Sequence, residues 1–221
     1  MTDVRPLVDD DDLLAALDER GREEWRSLSA QVTDDPGRLD RVFPAAARRT
    51  GRGPLDDGVL LEDAVRVGLV RSAAQGLSPD QLLDELRELY RYGDNDEKRA
   101  VLHALNGAPD EVDGTDVLLD ALRTNDTRLV AAAMGPHSDH LDDDAWRQGV
   151  LKCLFTGVPV TAVTGLRARA DGQLADMVGR YRREREAAGR DVPTDVQVVL
   201  DACAGRAQQQ PQQQPQQQKD S

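Results

Sequence analysis

The sequence predicts an all-α fold made of stacked antiparallel helix pairs. Apolar residues recur at spacings of three and four along nearly the whole chain, which is the period of an amphipathic helix. No sustained apolar–polar alternation bounded by hairpin turns is present, so no β-strand is predicted. Aromatic residues make up only 3% of the 221 residues. Leucine, valine and alanine must therefore fill most of the core, as is typical of closely packed helices.

The N-terminal quarter has the least regular helical pattern. A first helix is predicted after the acidic run Asp9 to Asp12, because negative charge is favourable at a helix N-terminus. It continues to Leu28, with Gly21 as a candidate interruption. Between residues 36 and 58, a short helix is predicted to end at Pro44. The glycine- and proline-containing stretch that follows is the best candidate for an internal hinge.

The next helices have the clearest signals in the chain. Residues 60–74 are so densely apolar that their helix is predicted to be buried. Ser78 to Gln81 has the pattern of a capping box with proline at the first helical position, so a helix begins there. Gly93 is predicted to end that helix in a left-handed conformation, and Asp94 to cap the next one. These two helices should form an antiparallel pair.

The second half of the chain continues the series of helices. Helices are predicted at residues 116–123, 127–134, 142–157, 173–188 and 194–204. The apolar stretch 158–166 has no assigned structure. Short helices joined by tight turns are similar to those of HEAT-type arrays, but no exact internal repeat is present. The prediction is therefore a HEAT-like but irregular helical array.

One helical domain is expected at residues 1–205, followed by a disordered tail at 206–221. The chain is long enough to bury a core without disulfides or bound metal. Residues 208–218 contain only glutamine and proline, and such a segment does not offset the entropy cost of ordering. Cys153 and Cys203 lie fifty residues apart in apolar helical patterns, so they are interpreted as reduced core thiols.

The net charge of −13 argues against a nucleic-acid partner, because phosphate backbones favour clustered lysine and arginine. No apolar run approaches the length that spans a bilayer, and the N-terminus has no signal-peptide pattern. We therefore expect a cytoplasmic protein with no membrane span. One further interpretation of the charge is an interaction module whose acidic surface binds a basic protein, with the glutamine-rich tail as a spacer.

One segment resembles the signature of a known family. Residues 145–155 read Ala-Trp-Arg-Gln-Gly-Val-Leu-Lys-Cys-Leu-Phe, which is similar to the EboA family, where Ala-Trp-Asn-Gln leads into Val-Leu-Lys-Ala-Leu-Phe. Further similarities follow in the right order, and the resemblance is strongest over residues 80–200. Two departures are Arg147, which replaces an asparagine, and Gly135-Pro136-His137, which is all that remains of an Asn-Pro-Tyr-Pro element.

The resemblance implies a role in secondary metabolism. EboA-type proteins are encoded in gene clusters with a UbiA-like prenyltransferase, a TatD-like hydrolase and proteins similar to dehydroquinate synthase and sugar-phosphate isomerases. These clusters serve the processing or export of secondary metabolites. The resemblance thus implies protein partners from the same cluster and a small-molecule metabolite as a ligand, with no assigned reaction and no cofactor.

Residues of three predicted helices would form a binding surface if these helices meet along one groove, as the family resemblance implies. The alternatives are a helix cap for Asn125 and surface ion pairs for Arg185. Lys152 is the most informative of these residues, because the surrounding helix has little other polar surface. A buried lysine would have a lowered pKa and could act as a nucleophile or anion anchor, whereas a lysine whose stem packs on the core would extend its ammonium group to solvent. The second interpretation is favoured. The candidate residues are Arg123, Asn125, Trp146, Gln148, Lys152, Tyr181 and Arg185.

Two histidines near a carboxylate cluster are the candidates for metal binding. His137, Asp139 and His140 are residue types that ligate divalent metals. However, the neighbouring Asp142 to Asp144 are already explained as a helix N-terminus, so no metal site is preferred. His103 lies on a mostly apolar helix and is interpreted as a packed residue.

The preferred hypothesis is a non-catalytic helical binding or scaffold protein of the EboA type that assists a secondary-metabolite gene cluster. No phosphate-binding loop, nucleophile elbow or paired-cysteine metal motif is present, which argues against common enzyme classes. The alternative is a small-molecule enzyme with a helical pocket around Lys152, or with a metal near His137 and His140.

Overall fold

A computed structural model describes residues 2–55 and 58–209. In these residues the chain forms twelve α-helices, three short 3-10 helices and no β-strand, which confirms the all-α prediction. The α-helices are α1 Asp10–Ala16, α2 Glu19–Asp34, α3 Leu39–Thr50, α4 Leu61–Ala74, α5 Pro79–Tyr92, α6 Asn95–Gly107, α7 Thr115–Arg123, α8 Thr127–Ala133, α9 Asp143–Thr156, α10 Leu166–Arg169, α11 Gly172–Ala187 and α12 Asp195–Gln209. The 3-10 helices are Pro36–Arg38, Pro136–His140 and Val160–Ala162.

Reciprocal side-chain caps fix the starts of α5 and α6. The Ser78 hydroxyl accepts the Gln81 N–H at 3.3 Å, and the Gln81 side chain accepts the Ser78 N–H at 3.0 Å. Asp94 and Glu97 form the same arrangement at 2.9 and 3.0 Å. Each box satisfies two backbone donors that the first helical turn leaves free. The predicted start of α5 and the predicted Asp94 cap are therefore confirmed.

The first predicted helix is divided at Leu17 and Asp18 rather than at Gly21. Asp18 caps α2 by accepting the Gly21 N–H at 2.6 Å. Gly21 lies inside α2 and is buried there. A Cβ at this position would lie 2.6 Å from the Thr50 carbonyl oxygen, so the glycine permits close packing of α2 on α3. The prediction mistook a packing glycine for a helix breaker.

Pro44 was predicted to end the third helix, but it does not. It lies inside α3, which continues to Thr50, and the chain leaves the helix at Gly51 with φ +116°. The proline removes one backbone donor. Buried apolar residues on the same helix, including Phe43 and Ala46, offset this loss. The interruption that was predicted from residue 44 therefore begins after Thr50.

Gly93 does not have the left-handed conformation that was predicted for it. Its φ of −75° and ψ of 158° are extended rather than left-handed. Close approach explains the glycine instead, because a Cβ there would lie 2.6 Å from the Leu89 carbonyl oxygen and 2.9 Å from the Glu97 Cβ. Glycine thus allows the capping residue Asp94 to follow α5 directly.

Helix α4 is the centre of the fold. It packs against α1, α2, α3 and α6, and every residue of it except Arg71 is buried. The predicted pairs, α5 with α6 and α7 with α8, are in contact, and α11 also contacts α12. The contact between α4 and α6 joins helices that are not consecutive, so the array is irregular.

The C-terminal part ends with α12, which contains residues 206–209 of the segment that was predicted to be disordered. The remainder of that predicted tail, residues 210–221, lies outside the described residues. Across the described parts of the chain, no helix has both the length and the apolar character needed to cross a bilayer.

Candidate functional site

A cavity of about 660 Å³ lies between α4, α6, α8 and the segment that precedes α1. We call it the α4–α6–α8 cavity. Much of its wall is carbon, contributed by Pro6, Leu7, Leu60, Ala131, Ala132 and Pro136. The small alanines of α8 leave space that larger side chains would fill. A concave, mostly apolar site with a few polar groups is the usual form of a small-molecule pocket.

Gly107 allows the N-terminal segment and α6 to approach closely at this cavity. The Arg5 N–H donates to the Gly107 carbonyl oxygen at 2.7 Å. A Cβ on Gly107 would lie 2.5 Å from the Arg5 carbonyl oxygen. The Arg71 side chain also donates to the Val4 carbonyl oxygen at 3.0 Å. This lining segment is therefore held by α4 and α6 together.

The polar wall of the cavity is built on the pair Asp63 and Arg99. Arg99 Nε donates to Asp63 Oδ2 at 2.7 Å, and Arg99 Nη2 donates to Asp63 Oδ1 at 3.1 Å. The third nitrogen, Nη1, donates to Asp96 Oδ1 at 3.0 Å. Asp63 and Arg99 are 2% and 4% exposed. Because both are withdrawn from water, their mutual pairing is needed to offset the cost of desolvation.

His103 lies one helical turn after Arg99, on the same face of α6. Its side chain lines the cavity. Burial lowers the pKa of His103, and this effect exceeds the opposing effect of the nearby Asp63 carboxylate. The imidazole is therefore neutral at neutral pH, and it presents one donor and one acceptor nitrogen. The sequence-based interpretation treated His103 as a packed residue only.

Asn106 and Arg128 complete the polar wall, and both are held by other groups. Asn106 Nδ2 donates to the Ala132 carbonyl oxygen at 2.9 Å, and its Oδ1 accepts the His137 N–H at 2.9 Å. Arg128 Nη1 donates to Asp96 at 2.9 Å, while its Nε and Nη2 donate to Asp126 at 3.1 and 2.8 Å. The hydrogen bond from Arg128 is the main reason that the pKa of Asp126 is lowered to about 2.

The binding surface that was predicted around Lys152 forms two adjoining depressions between α7, α9 and α11. Their volumes are about 390 and 320 Å³, and both contain Gln148, Leu151 and Phe155. Arg123 and Lys152 line the first, and Tyr181 lines the second. We call this surface the α7–α9–α11 groove. It brings together four of the seven candidate residues.

Lys152 lies on the side of this groove rather than in the core. Its Nζ donates to Asn125 Oδ1 at 2.9 Å, in an exposed contact. The two residues are 27 positions apart, so the contact joins α9 to the turn between α7 and α8. The geometry supports the interpretation that the ammonium group reaches solvent while the stem packs on the protein.

Three candidates have structural partners. Trp146 is fully buried, and its Nε1 donates to the Thr164 carbonyl oxygen at 3.3 Å, so it is not part of the groove surface. The Tyr181 hydroxyl donates to the Leu154 carbonyl oxygen at 3.2 Å. Arg185 donates to the Asp191 carbonyl oxygen and lies over the Tyr181 ring. Sequence spacing placed these residues near the surface, but it did not reveal which backbone groups they satisfy.

The three metal candidates do not converge on one point. His137 Nε2 accepts the Gly114 N–H at 3.1 Å, and burial lowers the pKa of His137 to about 4. His140 lies 3.9 Å from Asp113, and Asp139 is exposed. Within residues 2–55 and 58–209, no group of three or more acidic, histidine or cysteine side chains is arranged to hold a metal ion.

Arg147, which departs from the family signature, connects α9 to α11. Its Nε donates to Asp171 at 3.1 Å, and its Nη1 donates to Asp144 at 2.7 Å. Asp171 also caps α11 by accepting the Leu174 N–H at 2.9 Å. The arginine therefore has a structural role, because it joins α9 to the residue that caps α11.

Sequence reasoning missed the polar wall of the α4–α6–α8 cavity. Asp63 and Arg99 are separated by 36 residues, so no local motif joins them. One signal was present, because residues 60–74 contain charged positions inside a pattern dense enough to predict complete burial. Buried charges require partners, and those partners mark the places where helices meet.

The comparison with known families agrees with the resemblance found in the sequence. Residues 45–201 match the family model described as metabolite traffic protein EboA. This match covers more than half of the chain and includes the whole of residues 80–200. No curated protein and no solved structure matches the chain significantly. The chain belongs to the EboA family.

Proposed function

We propose that this protein binds an organic metabolite in the α4–α6–α8 cavity without converting it, and that it assists the proteins of a secondary-metabolite cluster in the cytoplasm. The observation that carries the proposal is the cavity itself. About 660 Å³ of mostly carbon-lined space adjoins a polar wall that is held in place by buried hydrogen bonds. The family description as a metabolite traffic protein supports a binding role.

The chemistry of the polar groups supports binding rather than catalysis. The nitrogens of Arg99 donate to two aspartates, so the charge of this guanidinium is already balanced. Burial raises the pKa of the Cys153 thiol to about 12, which disfavours the nucleophilic thiolate. Lys152 is paired at the surface. These groups stabilise the fold and are poorly placed to activate a substrate.

A cavity-filling variant tests the binding site. Ala131→Phe places a ring in the cavity, whereas Ala175→Phe places the same ring at a half-buried position on α11 that does not line the cavity. The purified proteins are incubated with a small-molecule extract of cells that carry the gene cluster, and retained compounds are identified by mass spectrometry. We expect retention by the wild type and by Ala175→Phe, and its loss in Ala131→Phe. Recovery of a chemically altered compound would contradict the non-catalytic role.

A second role, docking of a partner protein, is favoured by the α7–α9–α11 groove. Phe155 is 59% exposed there and packs against Tyr181, with ring centroids 4.6 Å apart. Exposed aromatic residues of this kind are enriched at protein interfaces. We expect Phe155→Asp to abolish co-purification with a partner encoded in the same cluster. Val198→Asp, at a position 48% exposed on α12, is the matched control.

The enzyme alternative makes different predictions. A pocket enzyme that uses Lys152 would lose turnover of a candidate metabolite in Lys152→Met, with unchanged folding. A metal enzyme that uses His137 and His140 would contain a stoichiometric metal by elemental analysis. The interaction-module alternative requires a basic partner for the acidic surface, and most of its proposed spacer, residues 210–221, lies outside the described residues. Binding that weakens strongly with added salt would favour this alternative.

A further inference from the structure

We infer that the ligand of the α4–α6–α8 cavity is an electrically neutral compound with an apolar body, which places a hydroxyl group against Asp63 and His103. This inference rests on the proposed function, because it names the class of ligand for the same cavity. The charge balance of the polar wall and the hydrogen-bond acceptors that it leaves free identify the class of ligand.

Two of the three guanidinium groups that line the cavity in the described part of the chain, those of Arg99 and Arg128, are paired with carboxylates. Each of the three nitrogens of Arg99 donates to Asp63 or Asp96, and each of those of Arg128 donates to Asp96 or Asp126. Each guanidinium keeps two further N–H groups, but the carboxylates of Asp63, Asp96 and Asp126 already balance the positive charges of the two arginines. An anionic ligand would therefore gain little net attraction. It would also lie beside the buried charge of Asp63. Both effects make the cavity unfavourable for an anion.

A cationic ligand is disfavoured for the opposite reason. Among the described residues that line the cavity, Asp63 is the carboxylate, and both of its oxygens already accept hydrogen bonds from Arg99. Arg99 and Arg128 would repel a second positive charge at the same wall. An ammonium group entering the cavity would therefore lose its hydration without gaining an unshared counter-ion.

A hydroxyl group matches the hydrogen-bond donors and acceptors that Asp63 and His103 still offer. Each carboxylate oxygen has more than one lone pair, so Asp63 can accept another hydrogen bond while it stays paired with Arg99. The neutral imidazole of His103 lines the same cavity and presents both a donor and an acceptor. A hydroxyl group donates one hydrogen bond and accepts others, so these side chains can satisfy it without bringing a net charge into the cavity. The carbon-lined remainder suits an apolar body.

Arg5 is the cation that an anionic ligand would find at the mouth of the cavity. Its side chain is exposed, and among the described residues its side chain makes no ion pair or hydrogen bond. Attraction at an exposed position is weak and is screened by salt. An anion held there would remain at the rim, whereas a neutral ligand can occupy the interior.

Four probes with the same ring test the inference. They are 2-naphthalenemethanol, 2-naphthoate, 2-naphthalenemethylammonium and 2-methylnaphthalene, with binding measured by calorimetry on the full-length protein at pH 7.5. We expect the alcohol to bind about fivefold tighter than 2-methylnaphthalene, as one net hydrogen bond provides. We expect both charged probes to bind at least about tenfold more weakly than the alcohol, because their charges lose hydration on entry.

Variants assign the hydroxyl contact. His103→Leu should remove the preference of the alcohol over 2-methylnaphthalene, while His103→Gln should retain part of it, since glutamine also donates and accepts. Thermal unfolding shows whether each variant folds. Tighter binding of 2-naphthoate, lost in Arg5→Ala, would overturn the inference and place an anion at the rim. An alcohol preference that is unchanged in folded His103→Leu would also overturn it.

The outcomes separate this inference from the function on which it rests. Binding that is lost in Ala131→Phe but shows no preference for the alcohol would reject the neutral-hydroxyl ligand and leave the cavity as the binding site. Probe binding that is equal in Ala131→Phe and wild type would reject the cavity itself, and with it the neutral-hydroxyl inference.

Discussion

Asp63 and Arg99 join α4 to α6 through two parallel hydrogen bonds, Nε to Oδ2 at 2.7 Å and Nη2 to Oδ1 at 3.1 Å, with both side chains almost completely withdrawn from water. A buried pair of this kind adds little stability compared with apolar residues of the same size. Removal of one partner is nevertheless costly, because the other remains as an uncompensated charge.

Asp63→Ala should therefore destabilise the protein by about 3 kcal/mol. This value is at the lower end for a broken buried pair, because Asp96 still accepts a hydrogen bond from Arg99. Urea unfolding measures this change. The control is Asp84→Ala, which removes a carboxylate 3.6 Å from Arg87 at a side chain 78% exposed. A surface pair should contribute less than about 1 kcal/mol. Equal losses in the two variants would contradict the role assigned to the buried pair.

Acid should destabilise the fold through His137. Burial, with a further contribution from His140, lowers the pKa of His137 from 6.5 to about 4. Below pH 6.5 the unfolded chain binds a proton that the folded His137 does not bind, so stability falls as the pH decreases toward 4. At about 1.4 kcal/mol per pH unit, the full loss attributable to this residue is about 3 kcal/mol.

The variant His137→Gln isolates this contribution. Glutamine can accept the Gly114 N–H but has no proton to gain in this range. Urea unfolding at pH 7, 5 and 4 should give a smaller loss for the variant than for the wild type, by about 3 kcal/mol at pH 4. If the free energy of unfolding fell equally in the two proteins, the folded state would not lower the pKa of His137.

Gly68 lies inside a helix, but replacing it with alanine should destabilise the protein. A Cβ there would lie 2.4 Å from Trp25 Cη2, where α2 packs on α4. Gly68→Ala gains about 1 kcal/mol of helix propensity but must displace the indole, and overpacking costs about 1–3 kcal/mol. We expect net destabilisation together with a shift in tryptophan fluorescence.

The matched control is Gly179→Ala on α11, where the nearest contact to a Cβ is Arg183 Nη1 at 3.4 Å. This substitution should stabilise the protein by about 0.5–1 kcal/mol, because alanine favours a helix more than glycine does. If both variants were stabilised, the indole would have room to move, and the packing argument for Gly68 would be wrong.

Lys152→Met should change stability by less than about 0.5 kcal/mol, because the lost contact with Asn125 is exposed. Thermal and urea unfolding of the variant and of Asn125→Ala provide the measurement. A strongly buried ammonium group would behave differently, because its removal would relieve a desolvation cost and stabilise the protein clearly. Marked stabilisation would therefore restore the interpretation of Lys152 as a perturbed nucleophile.

Local signals predicted the helices well because caps act within one turn. Ser78 with Gln81, and Asp142 ahead of α9, depend on residues three positions apart. Glycine and proline were harder to interpret, because Gly21, Pro44 and Gly93 are explained by what packs against them. That information comes from distant parts of the chain.

The candidate site divides in the same way. Helical spacing placed Gln148 and Lys152 on one face of α9, where the α7–α9–α11 groove lies. Trp146 was also a candidate, although the spacing put it on the neighbouring apolar stripe, and its indole is buried in the core, where it donates to the Thr164 carbonyl oxygen. The α4–α6–α8 cavity lies between helices that are far apart in sequence. Local patterns predict each helix, but they do not predict the space that remains where these helices pack.

The N-terminal part of the cavity lining differs from the rest in its relation to the family. Pro6 and Leu7 precede the matched residues 45–201, whereas Asp63, Arg99 and the alanines of α8 lie within them. The family match therefore contains the polar wall but not this part of the apolar lining. A family member with other residues at these two positions would keep the polar recognition groups while its cavity accepted an apolar body of another shape.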